Sequence, residues 1–320
     1  MRRSVGYICV LLVGLTGCFE PDEPVKPFPR GDVEVSSVEM GPKYLNQLFY
    51  SLERNEVVKT ILRTDWDLSF SSEPGNSSIY LNTGNSMYAA KTNATDLNAV
   101  SDTAGLEFVW DWSNGRDDST ALVGWDTTNK VYVINIGNDL SGQPIGFVKA
   151  LFKLVDDKLE ITYARLKETT YKTTTLTKDE VYNRVYFSFA NDQQVSVEPP
   201  KENYDLIFRQ YIFYFEKEDI PYNVVGALIN PYKTRVISIQ DKDFLDITLS
   251  DTVDYSFQWN HDIVGYDWKE FDLNEGFYVV FPEKNFLMQT SKGFFYKFHF
   301  VDFYNLQGDR GYPTIESKLL

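Results

Sequence analysis

Alternation of apolar and polar positions runs through this chain. It is clearest at Trp66-Asp67-Leu68-Ser69-Phe70, where the aromatic, Leu and Phe positions share one side of a strand and Asp and Ser the other. A near copy, Tyr204-Asp205-Leu206-Ile207-Phe208, returns in the second half. The flanks echo too: residues 46–52 precede the first copy as 183–189 precede the second, and Trp125-Asp126 with 131–134 answers Tyr266-Asp267 with 277–280. Matches kept in one order predict two related modules. They also decide a local ambiguity. Tyr44, Leu45, Leu48, Phe49 and Leu52 have helical spacing, but Val185, Phe187 and Phe189 alternate, so a strand is predicted over 46–52.

Further strands are predicted over 106–112, 130–136, 147–155 and 159–163, the last pair joined by the Asp156-Asp157-Lys158 turn. The threonine-rich segment 169–178 reads equally as a linker or as a solvated sheet edge. Beyond it, strands are predicted over 211–215, 235–239, 244–249, 255–259, 277–281, 294–303 and 314–319. Short strands and turn residues throughout give an all-β class, with two antiparallel β-sheet or sandwich modules over 33–172 and 173–320.

The N-terminus carries an address. Arg2 and Arg3 precede an apolar run over 5–15, too short to span a bilayer, and Leu15-Thr16-Gly17-Cys18 follows. This is the pattern of a bacterial lipoprotein signal over 1–17, with Cys18 as the lipidated residue and 18–32 as an acidic, Pro-rich tether. The acidic residues after Cys18 resemble a surface-export signal. The expected location is therefore the outer membrane, anchored by lipid at Cys18 and facing outward.

Charge and residue counts narrow the chemistry. A formal charge of −15 argues against nucleic acid and anionic lipid as partners. Cys9 lies within the signal, so beyond Cys18 no cysteine remains for thiol chemistry. Two histidines exclude a multi-His zinc site, and no Gly-x-Ser-x-Gly or phosphate-loop motif occurs. Asp241, Asp243 and Asp246 read as a solvated turn. Asp67 and Asp205 read as polar-face strand residues bonding a neighbouring turn. No catalytic residue is assigned and no enzyme is expected. Aromatics at 16% leave ring surface over for a ligand.

At the C-terminus the segment 295–305, from Phe295 to Asn305, followed by Gly308-Asp309-Arg310-Gly311-Tyr312-Pro313, resembles the closing hairpin of the HmuY family of Bacteroidetes lipoproteins. Residues 204–208, Gly226-Ala227-Leu228, Gly265-Tyr266-Asp267-Trp268 and Tyr278-Val279-Val280 match its earlier blocks in order, so the second module resembles it throughout. The first module resembles it from Asn46 to Gly84. The resemblance implies a non-enzymatic surface protein that captures haem for iron acquisition and passes it to a TonB-dependent outer-membrane receptor. Axial ligand candidates on this implication are His261, Met288 and Met87; His299 lies within the closing strand. The rival expectation is a glycan- or protein-binding lipoprotein on the same scaffold, with Trp110, Trp112, Trp125 and Trp268 as stacking platforms.

Overall fold

In the computed structural model the alternating segments become antiparallel strands. The structure describes residues 31–218 and 220–320; the expected signal, Cys18 and tether residues up to 30 lie outside the described residues. The first half supplies β1 (Glu34–Ser37), β2 (Asn46–Ser51), β3 (Glu56–Leu62), β4 (Leu68–Ser71), β5 (Ile79–Leu81), β6 (Tyr88–Lys91), β7 (Tyr132–Asn135), β8 (Phe147–Val155) and β9 (Lys158–Arg165). The second supplies β10 (Lys172–Leu176), β11 (Arg184–Ser188), β12 (Gln193–Val195), β13 (Leu206–Phe215), β14 (Ile220–Ile229), β15 (Arg235–Ile239), β16 (Lys269–Asp272), β17 (Phe277–Val280), β18 (Asn285–Gln289), β19 (Phe295–Tyr304) and β20 (Arg310–Leu319).

The strands do not sort by half. One four-stranded sheet runs β14-β13-β2-β3 and the other β12-β11-β4-β5, so each joins a hairpin from one half to a hairpin from the other. Phe208 pairs with Leu48, and Phe187 pairs with Leu68. The five-stranded sheets run β10-β9-β8-β7-β6 and β1-β20-β19-β18-β15, the second recruiting β1 from the far end of the chain. The expected division at 172/173 is therefore not a packing boundary, and Gly31–Leu320 forms one compact unit. The physical reason is strand pairing: β2 and β11 each complete their backbone ladder on a strand of the other half.

The cores follow the layers. Leu68, Phe70, Ile134, Ile161 and Phe187 fill the space between the β12-β11-β4-β5 sheet and its five-stranded neighbour. Tyr50, Phe208, Phe286, Phe298 and Phe300 fill the equivalent space on the other side. Phe49, Ile61, Trp66, Tyr186, Val197 and Tyr204 join the two four-stranded sheets to each other. Trp66 and Tyr204 thus leave the side taken by Leu68 and Leu206, because the backbone turns at Asp67 and Asp205 before the strands begin.

Those two aspartates each bond a turn of the other half, and they do so from within the protein. Asp67 accepts the backbone N–H of Phe189 at 2.6 Å and Asp205 that of Leu52 at 2.8 Å, both from buried positions. Asn82 and Asn230 repeat one another as well, donating at 2.7 Å to the carbonyls of Trp66 and Tyr204. The pair Phe49 and Tyr204 and the pair Trp66 and Tyr186 each meet edge to face at 5.1 Å.

Residues 172–176 form an edge strand, one of the two readings held for the threonine-rich segment. Several expected elements differ. Over 106–112 and 255–259 only isolated bridges form, Ala89 to Val109 and Val236 to Gln258. Residues 244–246 make a 3-10 turn. Side chains compete for the backbone in these regions: the Asp111 carboxylate takes the N–H groups of Leu81 and Ala121, and Asp251 takes that of Thr248 at 2.7 Å.

Candidate functional site

The β13–β14 hairpin is ten residues long on each side, but β13 pairs with β2 only over Leu206 to Phe208. Its distal half therefore extends beyond the four-stranded sheet, carrying Phe213, Tyr214 and Phe215. Consecutive aromatics on a strand face opposite sides, so they cannot all enter one core. Phe213 packs edge-on against Phe215 at 5.1 Å and against Tyr266 at 5.2 Å. Tyr214 turns the other way and stacks on Trp112 at 5.7 Å with the rings 11° from parallel.

Trp112 is held there by its neighbour. Asp111 is buried and accepts the N–H of Leu81 at 2.6 Å and of Ala121 at 2.7 Å, which pins both ends of the loop over 111–121. Burial pushes the Asp111 carboxyl up to about 6. Trp112, 39% exposed, then presents its ring outward.

On the opposite wall, Gly265 adopts a left-handed φ of +66° and exchanges backbone hydrogen bonds with Ala227 at 2.9 and 3.0 Å. This tight approach, in which a Cβ on Gly226 would lie 2.2 Å from the Gly265 carbonyl oxygen, sets the position of Tyr266. Together these elements enclose a cleft of about 510 Å³, lined by Trp112, Phe213, Tyr214, Asn260, Asp262, Tyr266, Asp267 and Lys284 among others.

Its polar groups are partly committed. Ser113 donates to Asp262 at 2.5 Å and Lys284 pairs with Asp267 at 2.6 Å. Burial pushes the Asp262 carboxyl up; burial, and then the charge of Asp267, push the Tyr266 phenol up. The site offers flat rings on its walls and hydrogen-bonding oxygens between them, a combination suited to a planar or ring-shaped ligand.

The expected ligand residues lie elsewhere. Met87 and Met288 are fully buried in the two separate outer cores, packed among aliphatic and aromatic side chains. His261 sits between two cleft residues in sequence, yet its own ring is buried against Gly115, where an added Cβ would come within 2.5 Å of Cγ. Its backbone is tied on both sides, to Asn114 at 3.0 Å and to Ile229 at 2.8 Å. Burial, and then the positive charges of Arg184 and Arg209, push the imidazole down to about 3. The ring is neutral, as an iron donor must be, but it faces protein. Neither methionine nor His261 lines the Trp112 cleft. His299 stacks on Phe244 at 4.1 Å and contacts Pro282 and Glu316.

The tryptophans also part company. Trp268 is 1% exposed and stacks on Phe300 at 4.0 Å, and Trp125 is 4% exposed in the first core. These two are core residues and offer no platform. Trp110 packs against Tyr88 at 5.0 Å, and of the four only Trp112 lines the cleft. Tyr214, Phe213, Tyr266 and Asp262 were not expected. The signal for the first two was the aromatic run over 213–215.

The HmuY protein family matches residues 43–316, a single match running through both halves. The chain belongs to the HmuY family. Among solved structures, this HmuY-family chain is similar to apo PinO from Porphyromonas gingivitis, with 9% identity, 91% of this chain and 98% of that chain covered, and a TM-score of 0.31. It is similar to an apo HmuY analog from Tannerella forsythia, with 10% identity, 91% and 98% covered and a TM-score of 0.27. A protein from Bacteroides vulgatus described as HmuY-like and heme-binding matches with 10% identity, 91% and 95% covered and a TM-score of 0.25. No curated protein matches the chain.

A haem held through its iron needs an axial donor opening onto the macrocycle's slot. None of the expected donors His261, Met87 and Met288 opens onto the cleft; all three face packed protein. What the cleft offers is aromatic surface, from the stacked Trp112 and Tyr214 and from Phe213 and Tyr266, beside a space of about 510 Å³.

Proposed function

We propose that this HmuY-family chain is a cell-surface binding protein, lipid-anchored at Cys18 in the outer membrane, that captures a tetrapyrrole of the haem type for iron acquisition. Family membership over residues 43–316 supports the ligand class. The observation that carries the site is the stack of Trp112 on Tyr214 beside Phe213 and Tyr266. The macrocycle is held there by ring stacking and by hydrogen bonds to its polar edge, without histidine or methionine on the iron. Delivery to a TonB-dependent receptor completes this reading, and no bond in the ligand is made or broken.

Titration of the folded protein with haemin tests it. A saturable Soret shift without the low-spin bands of a bis-His or His-Met complex is expected, weakened about tenfold in Trp112→Ala by loss of one stacking face. No saturable shift in folded protein overturns the reading.

One observation favours a second reading. Asn260, Asp262 and Asp267 stand beside the exposed Trp112 ring, and a pyranose needs such a ring face flanked by acceptors for its hydroxyls. Glycan binding lost in Trp112→Ala, with no response to haemin, would establish this reading in place of the first.

A further inference from the structure

We propose that a second cleft, separate from the Trp112 site, binds an oxyanion carried on a small organic ligand. This cleft has a volume of about 450 Å³ and forms where the loop before β5, the segment before β11 and the turn after β14 converge. Ser71, Tyr80, Arg184, Lys201, Tyr232 and Lys233 are among its lining residues, and it shares none with the Trp112 cleft.

Three cations line this cleft outside any ion pair among the described residues, although the buried Glu198 carboxylate acts on Arg184 through its charge. The Arg184 guanidinium lies 3.5 Å from the centre of the Tyr80 ring and donates no hydrogen bond among the described residues. Only its backbone is tied, the N–H donating to Glu198 at 2.8 Å. The amines of Lys201 and Lys233 lie 4.5 and 4.9 Å from the centre of the same Tyr232 ring. Neither enters an ion pair among the described residues. Lys178, nearby, behaves in the ordinary way: it pairs with Asp157 at 2.9 Å and donates to the carbonyls of Glu73 and Asn76.

The carboxylates of the cleft are differently placed. Asp117 accepts hydrogen bonds from Tyr80 and Asn76, Glu73 accepts one from Asn76, and Glu180 is exposed. Two of the three are therefore engaged by neutral donors, while the cations keep their donors unspent. In a chain of formal charge −15, long-range attraction cannot bring an anion in. Recognition must be local, and an Arg fork with two flanking ammonium groups is the arrangement that holds a carboxylate or phosphate. Tyr182 and Tyr232 in the walls suit a ring attached to that anion, as in a sugar acid or a sugar phosphate.

Calorimetric titration of the chain with glucuronate, glucose 6-phosphate, inorganic phosphate and neutral glucose tests this. Saturable binding of an organic anion, absent for glucose and weakened about tenfold in Arg184→Gln, is expected. The double variant Lys201→Gln with Lys233→Gln should weaken binding likewise, and keeps the test valid if Arg184→Gln fails to fold. Trp112→Ala should leave these affinities unchanged, which separates this site from the haemin site. Phosphate binding as tightly as the organic anions overturns the organic ligand and leaves a free-ion site. No saturable binding of any anion, or equal binding by the lysine double variant, overturns the proposal entirely.

Discussion

The Asp205 carboxylate accepts the backbone N–H of Leu52 at 2.8 Å, although 153 positions separate the two residues in sequence. Asp67 and Phe189 repeat the contact in the opposite sense, first half to second. Each carboxylate closes the end of a ladder in which a strand of one half meets a strand of the other, so the seam is written twice in backbone bonds.

These carboxylates give the fold a pH signature. Burial raises both Asp67 and Asp205 from 3.8 to about 6, so the folded chain holds each proton more tightly than the unfolded chain. The stability from each group is therefore full below about 3.8 and lost as pH rises through about 6. Asp205→Asn, which mimics the protonated state, should gain about 3 kcal/mol on wild type between pH 4 and pH 7. Urea unfolding at both pH values measures it, and a wild-type minus variant difference that stays constant with pH would show the carboxylate ionised at no cost.

The cleft depends on two glycines that touch. A Cβ on Gly226 would lie 2.2 Å from the Gly265 carbonyl oxygen and 2.8 Å from Tyr266 Cα, with backbone on both sides and no flexible side chain to yield. Gly226→Ala should cost about 2 to 4 kcal/mol and displace Tyr266 from the wall. Gly276→Ala is the control: its Cβ meets nothing within 4 Å, and only its φ of +77° opposes the change, at about 1 kcal/mol. Thermal melts of the two variants, with haemin titrations alongside, check the contrast; equal losses in both would mean the glycine contact does not hold the wall.

Strand existence was legible in the sequence because period-2 alternation reports directly on a half-buried sheet. The partners were not. The echo between 66–70 and 204–208 predicts two related modules but does not say how they pack, and in the structure each copy pairs with the other half. Nothing in local alternation distinguishes pairing within a half from pairing across the halves, since both bury the same faces. The site was less legible still. Trp268 and Trp112 are the same residue type near similar turns, yet one stacks on Phe300 in the core and the other on Tyr214 outside it. The difference is made by Asp111 and by the overhang of β13, both consequences of tertiary pairing. The histidine expectation failed for a related reason: residues 260 and 262 reach the cleft while His261, between them, points into protein against Gly115.

That burial makes His261 a discriminating probe. Its pKa is pushed down to about 3, so the imidazole stays neutral to well below the usual histidine range of about 6.5. For a base held below its unfolded value, the stability is present above about 6.5 and is lost as pH falls towards 3. NMR of the ring protons should show no titration between pH 8 and pH 5. Haemin affinity and spectrum should be unchanged in His261→Phe, which keeps an aromatic ring in the packed site. A ring that titrates near pH 6, or a Soret band that moves in the variant, would mean that His261 opens to ligand after all.

Asp111 and Trp112 tie stability to binding in one loop. Asp111→Ala removes the acceptor of two buried backbone donors, Leu81 and Ala121, at 2.6 and 2.7 Å. An unpaired buried N–H costs about 1 to 3 kcal/mol, so with two of them the variant should lose about 2 to 6 kcal/mol. The loss should reach the ligand too, because the loop end that carries Trp112 is no longer pinned against Tyr214. At a temperature where the variant remains folded, its haemin affinity should fall towards that of Trp112→Ala, and the double variant should bind no worse than Trp112→Ala alone. Additive losses in the double variant would show instead that Asp111 supports binding by a route independent of the stack.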